Sequence, residues 1–482
     1  MKNALRHASV PVAIASAAVL MLSAGAMGQA SQRTIFVANN GNLEGAVTGF
    51  TIDAQNRPVF VSKTVIGTTP STANPVGGTN ADGISITPDG KFLATSHTTA
   101  LTTEQITVLQ VNSDSTTSIV GTFLTPDSPL DLVWLNDTTL AVTRTRTSGT
   151  NEIIVYRYDR TANTMTEIDR EPAGTFCTEL LVDAPRSRLF SNSTTEGTLR
   201  VWNINPDGTI TNLETQFVGP YFFGMSITND GLHFYSGVGT SNGSNVVTHL
   251  LIDPVTAAIT GADPAYTISG GGAPAFTALS TDDRILFVGH NTGSEVYSLL
   301  RDPATGLLTN TGNFVDIGDQ GGIGNIRTYP GHLVVTRDSS FSSSTPRGIR
   351  IFAISEQGQF TPTSDFVSSG ASAPNNMVIW SPRSNVVGCN PADIADDQGT
   401  PLPGSPNVPN AGVNEGDYNA FFSASGYFEH ASQGVLAVGK FCDIADDQGT
   451  PKPPFGNPVG ANTGVNEGDY NCFFNNLFLP CG

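Results

Sequence analysis

The stretch that decides the fold is Asp82-Gly-Ile-Ser-Ile-Thr-Pro-Asp-Gly90, which runs on into Lys91-Phe-Leu-Ala-Thr95. Apolar and polar residues alternate on both sides of the Thr-Pro-Asp-Gly turn, and a period of two is typical of a half-buried β-strand. Proline, aspartate and glycine together favour a tight reversal of the chain. The stretch therefore predicts two antiparallel strands joined by a short turn.

The same pattern returns six more times along the chain. The other copies are Leu130–Thr138, Thr178–Arg186, Phe223–Gly231, Phe276–Arg284, Gly324–His332 and Asn375–Arg383, and consecutive copies begin 45 to 53 residues apart. Further β-type runs lie between the copies and end in polar turns, as Thr198–Ile204 does before Asn205-Pro-Asp-Gly208. About four strands per unit, repeated at close to 50 residues, is the signature of a β-propeller.

The two ends of the repeat predict how the ring closes. The run Thr34-Ile-Phe-Val37 fits the strand that follows the turn, although no turn segment precedes it, and the missing segment is found at the far end as Asn375–Arg383. One blade would then contain strands from both termini, which removes the exposed sheet edges of an open ring. Residues 31–388, shared among seven blades, give about 51 residues each. We therefore predict an all-β, seven-bladed β-propeller with N- and C-terminal strand closure; six or eight blades is the alternative.

Composition and charge exclude several classes of function. The chain has 482 residues, with 23 Lys and Arg against 42 Asp and Glu, and a formal net charge of −19. Such an acidic chain is repelled by a phosphate backbone and by an anionic membrane surface, so no nucleic acid is expected as a partner. With 38% hydrophobic and only 13% charged residues, the chain is apolar enough to bury large cores and too apolar for global disorder.

Residues 1–30 have the layout of a secretory signal peptide. Lys2 and Arg6 precede an apolar run from Val10 to Met27, and small residues for cleavage follow at Ala24-Gly-Ala26 and at Gly28-Gln-Ala30. The alternative is an uncleaved membrane anchor. No later apolar stretch is long enough to span a bilayer. We therefore expect a secreted protein, either extracellular or attached to the cell surface, with no membrane span after cleavage.

Three turns carry a resemblance to a known family. Thr87-Pro-Asp-Gly-Lys-Phe-Leu93, Asp253-Pro-Val-Thr256 and Asp302-Pro-Ala-Thr-Gly-Leu-Leu308 resemble turns of the lactonase-type seven-bladed propellers, which include bacterial 6-phosphogluconolactonase. The resemblance spans about 350 residues and implies a propeller that hydrolyses a lactone, an ester-type reaction. The His-containing segment expected beside an inner strand of the sugar-lactone hydrolases is not visible here, and a shared fold is a poor guide to a shared reaction.

The second position of the aligned copies predicts a ring of small and polar residues at the mouth of the central channel. The ring consists of Gly83, Asp131, Glu179, Gly224, Thr277, Asn325 and Asn376. Our candidate ligand-binding residues are Asp82, which is one residue away from the ring, and Asp131, Glu179, Asn325 and Asn376.

These residue types suit more than one role. A hard cation prefers such an oxygen-rich set, and a channel metal would polarise a lactone carbonyl. Arg327 lies two residues further along its strand and would stabilise an oxyanion, so Asp131, Glu179 and Arg327 are the candidate catalytic residues. The alternative is that these Asp and Asn side chains only cap loop ends through hydrogen bonds to the backbone.

Residues 389–482 form a different module that contains an internal duplication. Asp393-Ile-Ala-Asp-Asp-Gln-Gly-Thr-Pro401 returns at 443–451, and Gly412-Val-Asn-Glu-Gly-Asp-Tyr-Asn419 returns at 464–471. Each half has spaced carboxylates, a Pro/Gly/Asn-rich insert and then an acidic residue that opens a helix, which is the pattern of a calcium loop. The alternative is a solvated acidic repeat held by disulfides alone.

The duplicated module resembles the paired half-EF-hand loops of dockerins, specifically the GC-type dockerin modules at the ends of secreted bacterial proteins. By this resemblance the first ligand position is taken by Asp393 and Asp443, the ninth by Asn414 and Asn466, and the twelfth by Asp417 and Asp469. The insert lengthens the loop, so the middle positions stay open among Asp396, Asp397 and Asn410 in one repeat and Asp446, Asp447 and Asn462 in the other. The resemblance implies bound Ca²⁺ and a cell-surface or cohesin-like receptor for this tail.

Four of the five cysteines lie in the duplicated module, as expected for a protein outside the cytosol. Cys442 aligns with Ala392 and Cys472 with Ala420, so only the second repeat has both cysteines. This asymmetry favours a Cys442–Cys472 disulfide inside the second repeat. Cys389–Cys481 would then join the two ends of the module.

Two functions fit the whole chain. In the first, the propeller binds a small molecule, a glycan or a protein, for example through the loop aromatics at Tyr221-Phe-Phe223, and the tail attaches it to its receptor. In the second, the propeller is a secreted lactone hydrolase, and the tail serves only to attach it at its location. An enzyme needs converging groups and a base of matched pKa. Since the sequence shows no assured base, it favours the binding protein.

Overall fold

The computed structural model describes residues 32–40, 44–67, 81–97, 105–125, 128–145, 151–219, 221–239, 245–268, 273–290, 293–318, 323–337, 347–371, 373–381, 390–395, 399–401, 413–452 and 461–478. The predicted signal peptide, Asp396, Asp397, Asn410 and the Cys389–Cys481 pair lie outside these ranges.

The described strands form seven antiparallel sheets, and six of these sheets consist of strands that are consecutive in the sequence. The first strands are β1 (Thr34–Asn40), β2 (Gly45–Ile52) and β3 (Pro58–Gly67). Blade 1 has β4 (Ala81–Ile86), β5 (Phe92–His97), β6 (Gln105–Val111) and β7 (Thr117–Leu124). Blade 2 has β8 (Pro129–Trp134), β9 (Thr139–Arg144), β10 (Asn151–Asp159) and β11 (Thr164–Gly174). Blade 3 has β12 (Leu180–Asp183), β13 (Arg188–Ser193), β14 (Thr198–Ile204) and β15 (Ile210–Phe217).

The second half of the ring repeats this arrangement. Blade 4 has β16 (Phe222–Ile227), β17 (His233–Gly239), β18 (Asn245–Ile252) and β19 (Ile259–Thr267). Blade 5 has β20 (Pro274–Leu279), β21 (Ile285–His290), β22 (Glu295–Arg301) and β23 (Leu308–Asp316). Blade 6 has β24 (Ile323–Tyr329), β25 (His332–Arg337), β26 (Gly348–Ile354), β27 (Phe360–Pro362) and the short β28 (Val367–Ser368). The last strand of the propeller is β29 (Pro374–Trp380).

The seventh blade confirms the predicted closure. Its strand order is β29-β1-β2-β3, so a strand from the end of the repeat pairs with strands from its beginning. The register runs antiparallel from Thr34 opposite Trp380 to Val37 opposite Met377. The fold is therefore the predicted seven-bladed propeller, and six or eight blades is ruled out.

The hydrophobic core lies between neighbouring blades, because each sheet buries side chains on both faces. Between blades 1 and 2, the buried ring of Tyr158 packs on Phe92 at 5.8 Å and on Trp134 at 6.1 Å between ring centroids. Aromatic contacts at these distances add to the free energy gained by burying apolar surface. This packing holds the inner strands, and with them the channel residues, at fixed positions.

The tail has its own small core and is partly helical, as predicted. Its helices are α1 (Glu415–Phe421), α2 (Tyr427–Ser432) and α3 (Glu467–Asn476), and 3-10 turns occur at Ala184–Arg186 in the propeller and at Gly434–Ala437 in the tail. Equivalent residues of the two repeats meet at its centre, where the rings of Phe421 and Phe473 stack at 4.0 Å. No helix in the described ranges is long and apolar enough to cross a membrane.

The predicted Cys442–Cys472 disulfide is wrong, because the two side chains are buried free thiols in the structure. Cys442 packs among the apolar residues of the tail core. The Cys472 sulfur lies 3.8 Å from the side-chain nitrogen of Asn476, one helical turn away. The repeat alignment placed both cysteines in one unit correctly but carried no information on where their side chains point.

Candidate functional site in the central channel

The inner strands bring the predicted catalytic residues to one cavity. Asp131 lies in β8, Glu179 immediately precedes β12, and Arg327 lies in β24. All three line a cavity of about 50 Å³ in the channel together with Gly224, Thr277, Asn325 and Asn376. Six of the seven blades thus contribute residues to a single site, although these residues are far apart in the sequence.

Asp131 and Glu179 each bond to the next blade around the ring. Asp131 Oδ2 accepts a hydrogen bond from the backbone N–H of Leu180 at 2.8 Å, and Glu179 Oε2 accepts one from Gly224 at 2.8 Å. The sequence offered the alternative that these acids only cap loop ends. Both do accept backbone N–H groups, but each N–H belongs to the next blade and not to the loop of the acid itself. These two bonds join blade 2 to blade 3 and blade 3 to blade 4.

Gly224 is needed at its position for a steric reason. Its φ is +66°, and a Cβ atom there would lie 2.6 Å from the backbone nitrogen of Thr277 in the next blade. Such a distance is well inside van der Waals contact, and the conformation itself favours glycine. Glycine therefore keeps the amide of blade 4 within reach of Glu179.

An amide pair forms the opposite wall of the cavity. Asn325 Nδ2 donates to Asn376 Oδ1 at 2.9 Å, and the same oxygen accepts the backbone N–H of Met377 at 2.9 Å. Asn325 Oδ1 is buried and has no hydrogen-bond partner among the described residues. A buried acceptor without a partner is costly, so this oxygen is suited to a hydroxyl or amide donor of a ligand.

Asp82 lies beside this group without lining the cavity. Its Oδ1 accepts a hydrogen bond from Asn375 Nδ2 at 2.6 Å, which joins blade 1 to the closing blade. The negative charge of Asp131 acts on Asp82, so the two carboxyl groups are close enough to influence each other. The sequence did not single out Asn375, because only the ring closure brings it next to Asp82.

Burial raises the pKa of all three channel acids. It raises the pKa of Asp131 to about 6, and the backbone N–H groups of Leu180 and Leu132, followed by the charge of Arg327, work against this rise. Burial and then repulsion by Asp131 raise the pKa of Glu179 to about 8 and that of Asp82 to about 7. At neutral pH the arrangement favours a charged Asp131 next to a protonated Glu179.

Arg327 supplies the positive charge of the site. Burial lowers the pKa of its guanidinium, while the charges of Glu179 and Asp131 raise it. An arginine stays protonated through such changes because its reference pKa is so high. Its Nη1 donates to the carbonyl of Ile326 at 3.0 Å and its Nη2 to Asn376 Oδ1 at 3.5 Å, and the remaining N–H groups of the guanidinium are left for a ligand.

The rim of the channel differs from the sequence-based expectation. In the predicted aromatic loop, Phe222 is fully buried, Phe223 is half-buried and only Tyr221 is exposed, at 49%. A second exposed aromatic ring, Phe176, lies at the start of blade 3. The sequence reasoning missed Phe176, although it precedes Glu179 by three residues just as Tyr221 precedes Gly224.

The predicted calcium ligands of the tail are placed as follows. Asp417 and Asp469 accept backbone N–H groups of their own loops, from Ile394 at 2.7 Å and from Ile444 at 2.7 Å respectively. Asn414 and Asn466 cap the helices that follow, and Asp446 accepts from Thr450 N, Asp447 from Thr463 N and Asp443 from Asn462 Nδ2. Asp393 is buried. Within the described ranges, no group of three or more His, Cys, Asp or Glu side chains is arranged to hold a metal ion.

Comparison with known proteins finds the fold but no family. No family profile matches the chain, and no curated protein matches its sequence. A candidate 6-phosphogluconolactonase from Bacteroides uniformis superposes with a TM-score of 0.57 at 14% identity, over 72% of this chain and 99% of its own. The periplasmic gluconolactonase of Pseudomonas aeruginosa gives 0.56 at 13% identity, over 72% and 99% of the two chains. A protein from Lactobacillus plantarum gives 0.53 at 13%, again over 72% and 99%. At such identities the likeness shows a shared fold, the seven-bladed β-propeller.

Proposed function

We propose that the propeller hydrolyses a lactone in its central channel. The observation that carries this proposal is the convergence of Asp131, Glu179 and Arg327 on one cavity. Sequence alone favoured a binding protein because it showed no base. The channel supports the hydrolase instead, since it supplies a carboxyl group whose pKa is raised to about 6 and a second whose pKa is raised to about 8. Pairs of acids separated in this way are typical of general acid and base roles.

In the proposed reaction, the Asp131 carboxylate takes a proton from a water molecule as its oxygen attacks the lactone carbonyl carbon. The Arg327 guanidinium stabilises the negative charge that develops on the carbonyl oxygen. As the C–O bond of the ring breaks, the protonated Glu179 carboxyl donates its proton to the leaving ring oxygen. One water is consumed, the product is the open hydroxy acid, and proton exchange with solvent restores both acids.

The first test is a lactone hydrolysis assay on the wild type and three variants. We expect Asp131→Asn and Glu179→Gln to lower kcat by about 10²–10⁴-fold. We expect Arg327→Met to lower it by about 10²–10³-fold. Asp365→Asn is the matched control, because Asp365 is a fully exposed acid of blade 6. A wild type that binds lactones without hydrolysing them would return the propeller to the class of binding proteins.

We propose further that the protein is secreted and that its tail is a calcium-binding anchor for a cohesin-like or cell-surface receptor. One feature of the second repeat fits a cation. The Asp443 side chain is fully buried, its Oδ1 has no hydrogen-bond partner among the described residues, and its Oδ2 pairs with the Lys452 ammonium. Positive charge is thus already stabilised there, and Asp443 and Asn462 are the residues of this repeat that would hold Ca²⁺.

A further inference from the structure

Two exposed aromatic residues at the channel rim have an unfavourable backbone conformation. Phe176 has φ of +60° and Tyr221 has φ of +58°, both in the left-handed region. Their side chains are 36% and 49% exposed. Residues with a bulky side chain rarely adopt this conformation, and such strain is concentrated at functional sites.

The closing blade shows that the fold does not require an aromatic residue here. Phe176 and Tyr221 each lie three residues before a position of the channel ring, and Ala373 lies three residues before Asn376 in the same way. Ala373 has φ of +50° and is almost fully buried. Since alanine forms the same kink, the rings of Phe176 and Tyr221 have a purpose other than shaping the backbone.

Thr194 links the two aromatic residues. Its N–H donates to the carbonyl of Phe176 at 3.1 Å, its hydroxyl donates to the same oxygen at 3.0 Å, and its own carbonyl accepts the N–H of Tyr221 at 2.7 Å. Thr194 is itself buried. Hydrogen bonds through Thr194 therefore link the backbones of the two residues, which lie close in sequence to Glu179 and to the amide of Gly224 that binds it.

We infer that Phe176 and Tyr221 form a platform on which a sugar ring stacks while a linked lactone occupies the channel. The negative face of an aromatic ring attracts the C–H groups on one face of a sugar ring, and the phenol of Tyr221 can bond its hydroxyls. The cavity wall of carboxyl, amide and guanidinium groups suits hydroxyls rather than an acyl chain. The inference rests on the proposed function for the lactone itself. It names the substrate class as the lactone of a disaccharide acid.

The test compares two lactones on the full-length protein. We expect Phe176→Ala and Tyr221→Ala each to lower kcat/KM about tenfold for a disaccharide aldonolactone, mainly through KM, and to leave the value for glucono-δ-lactone unchanged. The matched control is Phe314→Ala, since Phe314 is an exposed aromatic residue, 54% exposed, on the outer strand of blade 5. Equal losses on both lactones, or faster hydrolysis of an acyl-chain lactone by the wild type, would overturn the inference.

A binding measurement separates this inference from the proposed reaction. Calorimetric titration with the reduced disaccharide, which has no lactone to hydrolyse, should give binding by the wild type and about tenfold weaker binding by Phe176→Ala. If the wild type hydrolyses no lactone but shows this difference, the reaction is wrong and the platform stands. If the wild type does not bind the reduced disaccharide, or the variant binds it equally well, the platform is wrong whatever the outcome of the assay.

Discussion

At the scale of single residues, the channel acids make the proposed reaction dependent on pH in both directions. Asp131 acts as a base and must be ionised, so activity should fall as the pH drops through its pKa of about 6. Glu179 acts as an acid and must be protonated, so activity should fall as the pH rises through its pKa of about 8. We expect a bell-shaped profile of kcat/KM with these two limbs, which belong to the coupled pair as a whole.

The measurement is kcat/KM against pH for the wild type, Glu179→Gln and the control Asp365→Asn. Glu179→Gln should lose the alkaline limb and most of its rate, whereas the control should keep both limbs. A profile in which activity rises steadily through the alkaline range would exclude Glu179 as the proton donor.

The strained rim makes a second prediction, on stability. Phe176→Ala and Phe176→Gly remove the same ring, so the difference between them isolates the backbone. Because φ is +60° at this position, we expect the glycine variant to be more stable than the alanine variant by about 1 kcal/mol. Urea denaturation of both variants measures the difference, and an alanine variant equal to or more stable than the glycine variant would mean that no strain exists there.

The repeat explains which of the channel and rim residues could be predicted from the sequence. Asp131 and Glu179 occupy the same position in two aligned copies of the repeat. Because the blades form a closed ring, residues at this position all lie around the same channel. The hydrogen bond between Asp82 and Asn375 joins residues 293 apart in sequence, which no local pattern indicates. Phe176 was missed because a positive φ at a non-glycine residue cannot be read from its neighbours.

At the scale of elements, the turn between the inner two strands decides how a blade meets its neighbour. Gly90 in the turn before β5 has φ of +69°, and a Cβ there would lie 2.2 Å from the indole of Trp380 in the closing strand β29. Gly331 lies in the corresponding, shorter turn of blade 6 with φ of +71°, and a Cβ there would meet nothing within 4 Å. Both glycines therefore have a positive φ, but only at Gly90 would a Cβ atom collide with a neighbouring side chain.

We expect Gly331→Ala to lower the free energy of unfolding by about 1 kcal/mol, through the backbone alone. Gly90→Ala should cost at least about 2 kcal/mol more, because it also displaces Trp380 from its packing against β1 and blade 1. Chemical denaturation of the two variants tests the difference. Similar losses in both would mean that Trp380 moves aside without cost and that the closure is not tightly packed.

The strands and helices were largely predictable from the sequence, whereas the side-chain contacts of the tail were not. The Pro-Asp-Gly turns and alternating runs placed the strands, and the acidic residues after Asn414 and Asn466 marked the helix starts that the structure forms. The disulfide failed because the alignment of Cys442 and Cys472 gives sequence positions but no side-chain directions. Sequence patterns thus predict helices and strands better than they predict the contacts between side chains.

At the scale of the whole molecule, two separate cores predict two separate responses to calcium. The apolar core of the tail consists of tail residues only, from Ala392 to Leu477, while the propeller core lies between its blades. If Ca²⁺ binds the folded tail alone, free ion at about 100 times its Kd should stabilise that unit by about 2.7 kcal/mol. Calorimetry of the full-length chain should then show the transition of the tail at a higher temperature with Ca²⁺ than with a chelator, and the transition of the propeller unchanged.

Asp443→Asn sharpens this prediction, because it removes the charge of a buried carboxylate that already faces Lys452. In this variant the calcium-dependent shift should shrink, whereas the exposed control Asp365→Asn should keep it in full. A chain in which neither transition responds to Ca²⁺ would make the tail an acidic repeat without a calcium site.

A shift in the propeller transition that disappears in Asp131→Asn would instead locate a metal in the channel. The carbonyl of the lactone would then have a second positive partner beside Arg327, so the rate lost in Arg327→Met should be smaller with Ca²⁺ than with chelator.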